Sequence, residues 1–209
     1  FNSVSEFTVN GQYAPTKTKL PGRMELTGHN FRATIPSGNS RQSCSIGVAE
    51  EQDLANIMVV ENFLRILAAY RTLEQDGLLM HSAGIVVNER AFVFTGRSGA
   101  GKSTLARKAH EEGYRILSDD INLLLPDTGD YRAHAIPFAG DFGRTLKIPG
   151  SRESFPVACI ALIEQGHSLQ LTPLSSSRAI AGLITGCPFV NNDSDEIETV
   201  FDVVTDVAA

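Results

Sequence analysis

The chain has 209 residues, enough for one large domain or a core domain with a smaller appendage. With 42% hydrophobic and 20% charged residues it reads as an ordinary globular chain, which excludes disordered and fibrous classes. A net charge of −6 argues against a broad nucleic-acid footprint, and no apolar run approaches the roughly 20 residues that span a bilayer. Cys44, Cys159 and Cys187 are widely spaced with no CxxC pair, which predicts reduced, buried thiols in a cytoplasmic protein rather than a disulfide framework or zinc site.

Residues 1–49 are rich in Gly, Pro, Ser and Thr, with alternating stretches at 23–27 and 31–35 and turns at Pro21-Gly22 and Pro36-Ser37-Gly38. They predict a small β-rich N-terminal region ahead of a main domain over residues 50–209. From Glu50 to Gln75 the spacing turns helical: Leu54, Ile57, Met58, Phe63, Leu64, Leu67 and Tyr70 recur every three or four residues. This predicts one long amphipathic helix packing that face on the core.

Two apolar runs follow, at 78–87 and 91–95, with Asn88-Glu89-Arg90 between them. They predict an antiparallel hairpin whose second strand feeds a Gly-rich loop. Helix signals run from Lys102 to about Glu112 and stop at Gly113, followed by strands at 114–117, 121–125 and 131–136 with a turn at 127–130. Gly140 to Ser154, polar and glycine-bearing, predicts a mobile loop. Val157–Ile163 and Ser168–Thr172 predict a second hairpin around Gln165-Gly166. Helices over 176–185 and 193–207 finish the chain.

The loop Gly96-Arg97-Ser98-Gly99-Ala100-Gly101-Lys102-Ser103 fits G-x-x-x-x-G-K-[ST] at every fixed position. Glycines let the backbone wrap closely around an anion, so that successive N–H groups face phosphate oxygens. The helix opening at Lys102 aims its positive end at the same place. Gly96, Ser98, Gly99, Ala100, Gly101, Lys102, Ser103 and Thr104 are therefore the expected ATP-binding residues, with the Lys102 charge on the β- and γ-phosphates and the Ser103 hydroxyl on Mg²⁺.

Asp119-Asp120 follows a short apolar strand, a position suited to the second acidic element of such a site. One carboxylate could hold Mg²⁺ and the other accept a proton from an attacking hydroxyl. Which acid does which is open at this point. His81 opens the predicted hairpin; read by itself it is a hydrogen-bonded core histidine. His29, His110, His134 and His167 have no metal-ligand spacing.

The segment from Leu79 through Asp120 resembles the catalytic domain of HPr kinase/phosphorylase and its wider group. The resemblance rests on His81 in a hairpin strand, then Gly96 to Ser103, a short helix ending at Gly113, and Asp119-Asp120. It implies an α/β fold of the phosphoenolpyruvate-carboxykinase-like P-loop type with a mixed sheet. It implies ATP- and Mg²⁺-dependent transfer of a phosphate to a Ser hydroxyl on a protein. By the same resemblance Asp119 is the general base, Asp120 its partner near the metal, Ser103 a metal ligand, Lys102 the catalytic cation and His81 a neighbour of the reacting phosphate. Thr104 stands where HPr kinases usually carry Glu, and their downstream E-x-R-G-x-G is absent, so the chain looks more like the HPr-kinase-related proteins of peptide-tailoring systems, some of which phosphorylate a ribosomal precursor peptide, as in lasso-peptide pathways.

Three readings follow. The first is a kinase for a Ser of a protein or precursor peptide, with no nucleic-acid or membrane partner and with homo-oligomerisation left open. The second is a small-molecule kinase of the adenylylsulfate or shikimate kinase type, which carries a lone parallel strand before the loop. The third is a non-catalytic ATP-binding regulatory module.

Overall fold

The computed structural model describes residues 15–28, 30–36, 44–48, 53–138, 140, 142–143 and 153–209. The chain divides into two compact units, residues 1–68 and 69–209. In the first, strands β1 (Thr16–Leu20), β2 (Arg23–Gly28), β3 (Phe31–Pro36) and β4 (Ser45–Val48) form an antiparallel meander in chain order. One face of β3 is closed by Phe31, Ala33 and Ile35, all buried, and the Phe31 ring meets Phe63 edge-on at 5.5 Å. The β-rich N-terminal part expected from the sequence is present.

Helix α1 (Asp53–Leu73) is continuous, but the apolar face differs from the expected one. Val59, Phe63, Ile66, Ala69, Tyr70 and Leu73 are buried, whereas Ile57, Met58 and Leu64 are exposed. Apolar residues lie on more than one side of this helix, so periodicity alone does not choose the buried stripe; tertiary packing does.

The second unit is a mixed α/β arrangement around strands β5 (Leu78–Val87), β6 (Arg90–Thr95), β7 (Arg115–Ser118), β8 (Ile121–Asp127), β9 (Asp130–His134) and β10 (Ser154–Leu162). β5 and β6 form the expected hairpin, Val87 opposite Arg90, with Asn88 and Glu89 both at positive φ in the two-residue turn. β5 is long enough to serve two sheets. Its first part, Leu78 to His81, pairs with β8, and its second part, Ser82 to Val87, pairs with β6 while overlapping β7. β10 divides its pairing likewise, antiparallel to β9 over Ser154 to Pro156 and parallel to β6 beyond Val157. The pairings therefore close a ring, and β6–β10 is the parallel pair in it.

Met80, Leu78, Ile121 and Leu124 on β5 and β8 are almost wholly buried, each worth about 1.5–3 kcal/mol of apolar burial. Helix α2 (Lys102–Glu111) packs through Ala106 onto Ala83, Ile85 and Ile116. It stops where expected. Gly113 has φ +87°, its N–H bonds to His110 O, and the Tyr114 N–H bonds to Ala109 O, the double bond of a Schellman end.

Residues 168–172 do not form the second strand of a hairpin. β10 takes its partners from β6 and β9 instead, and Leu169 and Leu171 are almost fully exposed. Alternating leucines imitate a strand locally, but the pairing is decided elsewhere in the chain. Helix α3 (Ser176–Gly186) starts on a Ser175 cap, and α4 (Ile197–Val207) begins four residues later than expected. The expected mobile loop falls largely outside the described residues; Gly140, Phe142 and Gly143 are described, and Ser154 already belongs to β10. Cys187 is buried, and burial pushes its thiol up to about 12, but Cys44 and Cys159 are exposed, contrary to expectation. Among the described residues no helix is long and apolar enough to cross a membrane.

Candidate functional site

The Gly-rich loop joins β6 to α2 at the C-terminal end of the parallel pair. The Ile163 N–H bonds to Thr95 O at 2.8 Å, so both strands deliver their last residues to one place. Ligands in α/β sheets gather at such strand ends. Gly99 and Gly101 hold φ of +78° and +109°, with open space where a side chain would stand. At Gly96 the reason is proximity: a Cβ there would come within 2.7 Å of Ile163 O.

Gly101 caps α2 without a side-chain bond, and the first turn carries no acidic residue. The leading N–H groups of the helix thus lack the Asp or Ser that usually neutralises them, the condition in which they suit an anion. Lys102 is folded back over the loop, its Nζ donating to Gly96 O at 2.8 Å and to Arg97 O at 3.2 Å. Only 6% of the residue is exposed, and burial holds its ammonium below the usual lysine range, against an opposing pull from Asp120.

A cavity of about 610 Å³ opens on the other side of Gly96 to Ala100, walled by Leu162 to Gln165 and by α3. α3 comes close because Gly182 lies on Leu162 and Gly186 on Thr95, where any side chain would collide. Gln165 Nε2 donates to Gly99 O at 2.9 Å and braces the loop, while Arg178 meets Glu164 at 3.3 Å at the cavity edge. Gln165 and Arg178 were not legible as site residues, since the sequence offers Gln165 only as a turn residue and Arg178 only as part of a helix, neither beside a motif.

The acids are held differently. Ser118 Oγ accepts from the N–H groups of Asp120 (3.3 Å) and Ile121 (3.2 Å), which turns the chain sharply between β7 and β8. Asp119 is 2% exposed; its Oδ1 accepts from Gly140 N–H at 3.0 Å and its Oδ2 from Phe142 N–H at 3.2 Å. The side chain of Asp120 is 19% exposed, and its Oδ1 lies 3.1 Å from His81 Nδ1. β-Pairing enforces that contact, because His81 stands opposite Ile121 and the Ser82 N–H bonds to Asp120 O.

Behind His81, Thr95 Oγ1 donates to His81 O at 3.1 Å. Fully buried Asn122 donates from Nδ2 to Ser82 O and Ser82 Oγ, at 2.8 and 2.9 Å. Its own Oδ1 points at Gly84 and has no hydrogen-bond partner among the described residues. A buried polar group half satisfied in this way rigidifies the strand crossing at a cost in stability. Lys102, Asp120 and His81 are thus linked by contact and field, with Asp119 one residue away on a separate set of bonds. Ser103 is exposed at the start of α2, and Ser98 and Gly99 are exposed on the loop.

The family model for "ScmC: SynChlorMet cassette protein ScmC" matches residues 43–193. None of the curated proteins compared matches. Among solved structures, the Hpr(Ser) kinase/phosphatase from Coxiella burnetii is similar at 18% identity, over 46% of this chain and 72% of that one, with a TM-score of 0.35.

Proposed function

The chain belongs to the ScmC family of SynChlorMet cassette proteins, and we propose that it is an ATP- and Mg²⁺-dependent kinase acting on a Ser hydroxyl of a protein or precursor peptide. One observation carries this reading: a buried lysine and an uncapped helix start sit in electrostatic reach of a partly exposed carboxylate that a histidine holds. Phosphoryl transfer needs little more from a protein than positioning and charge.

In this reading Lys102 exchanges its two loop carbonyls for β- and γ-phosphate oxygens, and the N–H groups from Gly96 to Ser103 surround the same oxygens. The cavity beside α3 takes the nucleoside. The hydroxyl oxygen attacks the γ-phosphorus, the bond from that phosphorus to the β,γ-bridging oxygen breaks, ADP leaves, and the hydroxyl proton passes to the Asp119 carboxylate. His81 fixes the neighbouring Asp120 carboxylate.

Ser103 and Asp120 are hard oxygen donors of the kind Mg²⁺ takes. When bound, it would neutralise charge on the β- and γ-phosphates.

The small-molecule-kinase reading is disfavoured by the antiparallel β5–β6 pairing, since those enzymes carry a lone parallel strand before the loop. The Ser acceptor rests on the resemblance of the motif series to HPr-kinase-related proteins. The deciding experiment incubates the protein with Mg²⁺ and ATP together with the products of neighbouring genes, and reads them by mass spectrometry. A gain of one phosphate on a Ser is the expected result. ATP binding by calorimetry with no phosphorylated product favours the regulatory module, and no ATP binding sinks the reading.

A further inference from the structure

We propose that Thr95 and Asn122 are positioning residues whose side chains hold one peptide unit, His81–Ser82, as a strut between the root of the glycine loop and the acid turn. The inference rests on the kinase reading and names what fixes the spacing between the phosphate cradle and the acids.

β5 leaves β8 after His81 and joins β6 at Ser82, so the ladder changes partner across that single peptide. Its two polar groups bond to different elements. The carbonyl, His81 O, accepts from Thr95 Oγ1 at 3.1 Å, and Thr95 directly precedes Gly96. The amide, Ser82 N–H, donates to Asp120 O at 2.9 Å, inside the turn that carries both acids. A planar group with no soft torsion of its own thus spans from loop to acids. The same peptide carries His81, whose Nδ1 stands 3.1 Å from Asp120 Oδ1.

Asn122 holds the next carbonyl. Its Nδ2 donates to Ser82 O at 2.8 Å and to Ser82 Oγ at 2.9 Å. A carbonyl can only accept, so the amide nitrogen has to face it and Oδ1 is turned toward Gly84. There Oδ1 has no hydrogen-bond partner among the described residues, and a Cβ on Gly84 would collide with it. A missing side chain at position 84 therefore admits a buried amide that packing alone does not favour. Thr95 and Asn122 are both almost wholly buried, so water does not compete for these bonds. Bonds that only satisfy a strand crossing affect stability when removed. Bonds that set His81 and the acids against the loop affect turnover, because phosphoryl transfer depends on positioning.

Two variants test the strut from its two sides. Thr95→Val removes a hydroxyl and keeps the shape. Asn122→Leu removes the donor and the unpartnered acceptor together at similar volume. Nitrogen NMR follows the His81 Nδ1 resonance, hydrogen exchange follows the Ser82 amide, and urea unfolding gives the stability. Steady-state kinetics use Mg²⁺-ATP with transfer to water as the turnover, and calorimetry gives the ATP affinity. Both variants are expected to shift the His81 resonance and to speed exchange at the Ser82 amide about tenfold. They should lower kcat about tenfold while leaving the Kd for ATP within about twofold. The urea midpoint of Asn122→Leu is expected to equal or exceed that of the parent.

Parent kcat with an unmoved His81 resonance in both variants would overturn the proposal, whatever the urea midpoints. If Asn122→Leu does not fold, Thr95→Val decides by the same readouts, since it changes almost no volume. If the parent protein neither binds nor turns over ATP, the kinase reading fails instead. The His81 resonance and the Ser82 amide then still decide the strut, because neither needs nucleotide.

Discussion

The two ends of strand β8 use carboxylates in opposite ways. At its start, beside Ile121, Asp120 faces a histidine and acts on a buried lysine. At its far end, β8 turns into β9 through Thr128 and Gly129, both at positive φ, and an aspartate receives a tyrosine hydroxyl instead. Tyr131, opposite Pro126, donates to Asp206 at 2.8 Å and to Asp76 O at 3.3 Å; elsewhere in the unit Tyr70 donates to Asp193 at 2.6 Å. A neutral donor satisfies a carboxylate and fastens a helix or turn without leaving anything reactive. The difference teaches that one strand can carry two uses of a carboxylate: a phenol hydroxyl fastens Asp206 to the fold, whereas Asp120 faces a histidine and a buried lysine.

That division breaks most sharply at Lys102. Lys102→Ala is expected to lower ATP turnover about a thousandfold or more. Circular dichroism should remain that of the parent, because the loop glycines and the Ala106 contact are untouched. Asp120→Asn comes next, with ATP affinity kept and kcat lowered about 10²–10⁴-fold, read by steady-state kinetics. Full turnover in Asp120→Asn would erase the distinction between the two ends.

Much of the site-bearing unit was legible because its signals are local. The hairpin, the glycine loop, the helix ended by Gly113 and the turn at 127–130 are each specified within a few residues of themselves. Non-local choices were not. No spacing reveals that β10 pairs in parallel with β6, that Gln165 reaches Gly99, or that α3 approaches through Gly182 and Gly186 to wall a cavity. The acid pair shows the limit within two residues. Sequence brings Asp119 and Asp120 to one turn, but only the folded chain lays Gly140 and Phe142 against the first and His81 against the second. On α1, apolar residues on several sides left the buried face to tertiary packing, and Ile57, Met58 and Leu64 ended exposed.

The far end should answer to stability and not to turnover. Tyr131→Phe removes the hydroxyl from Asp206 and is expected to cost about 1–2 kcal/mol, seen as a lower urea midpoint with kcat unchanged. Unaltered stability would mean the hydroxyl pairs are ornamental.

The smallest effect lies in the pH dependence of stability, where the two ends should have opposite slopes. Burial, followed by the bond to Asp206, raises the Tyr131 phenol well above its ordinary 10.0; burial and Asp193 do the same for Tyr70. Above pH 10 the unfolded chain sheds these protons while the folded chain keeps them. The folded state then binds more protons, so stability falls with rising pH, by at most about 1.4 kcal/mol per unit for each group. Cys187, raised by burial from 9.0 to about 12, begins the same decline one unit earlier. Lys102 runs the other way. Burial lowers it below 10.5, so in that window the unfolded chain holds the extra proton and stability gains as pH rises. Urea midpoints measured from roughly pH 8 to 11 should therefore fall more steeply in Lys102→Ala than in the parent, and less steeply in Tyr131→Phe. Parallel profiles for all three proteins would mean that the lysine and the tyrosine hydroxyl are not held by their surroundings as described, and the contrast between the two ends would lose its electrostatic basis.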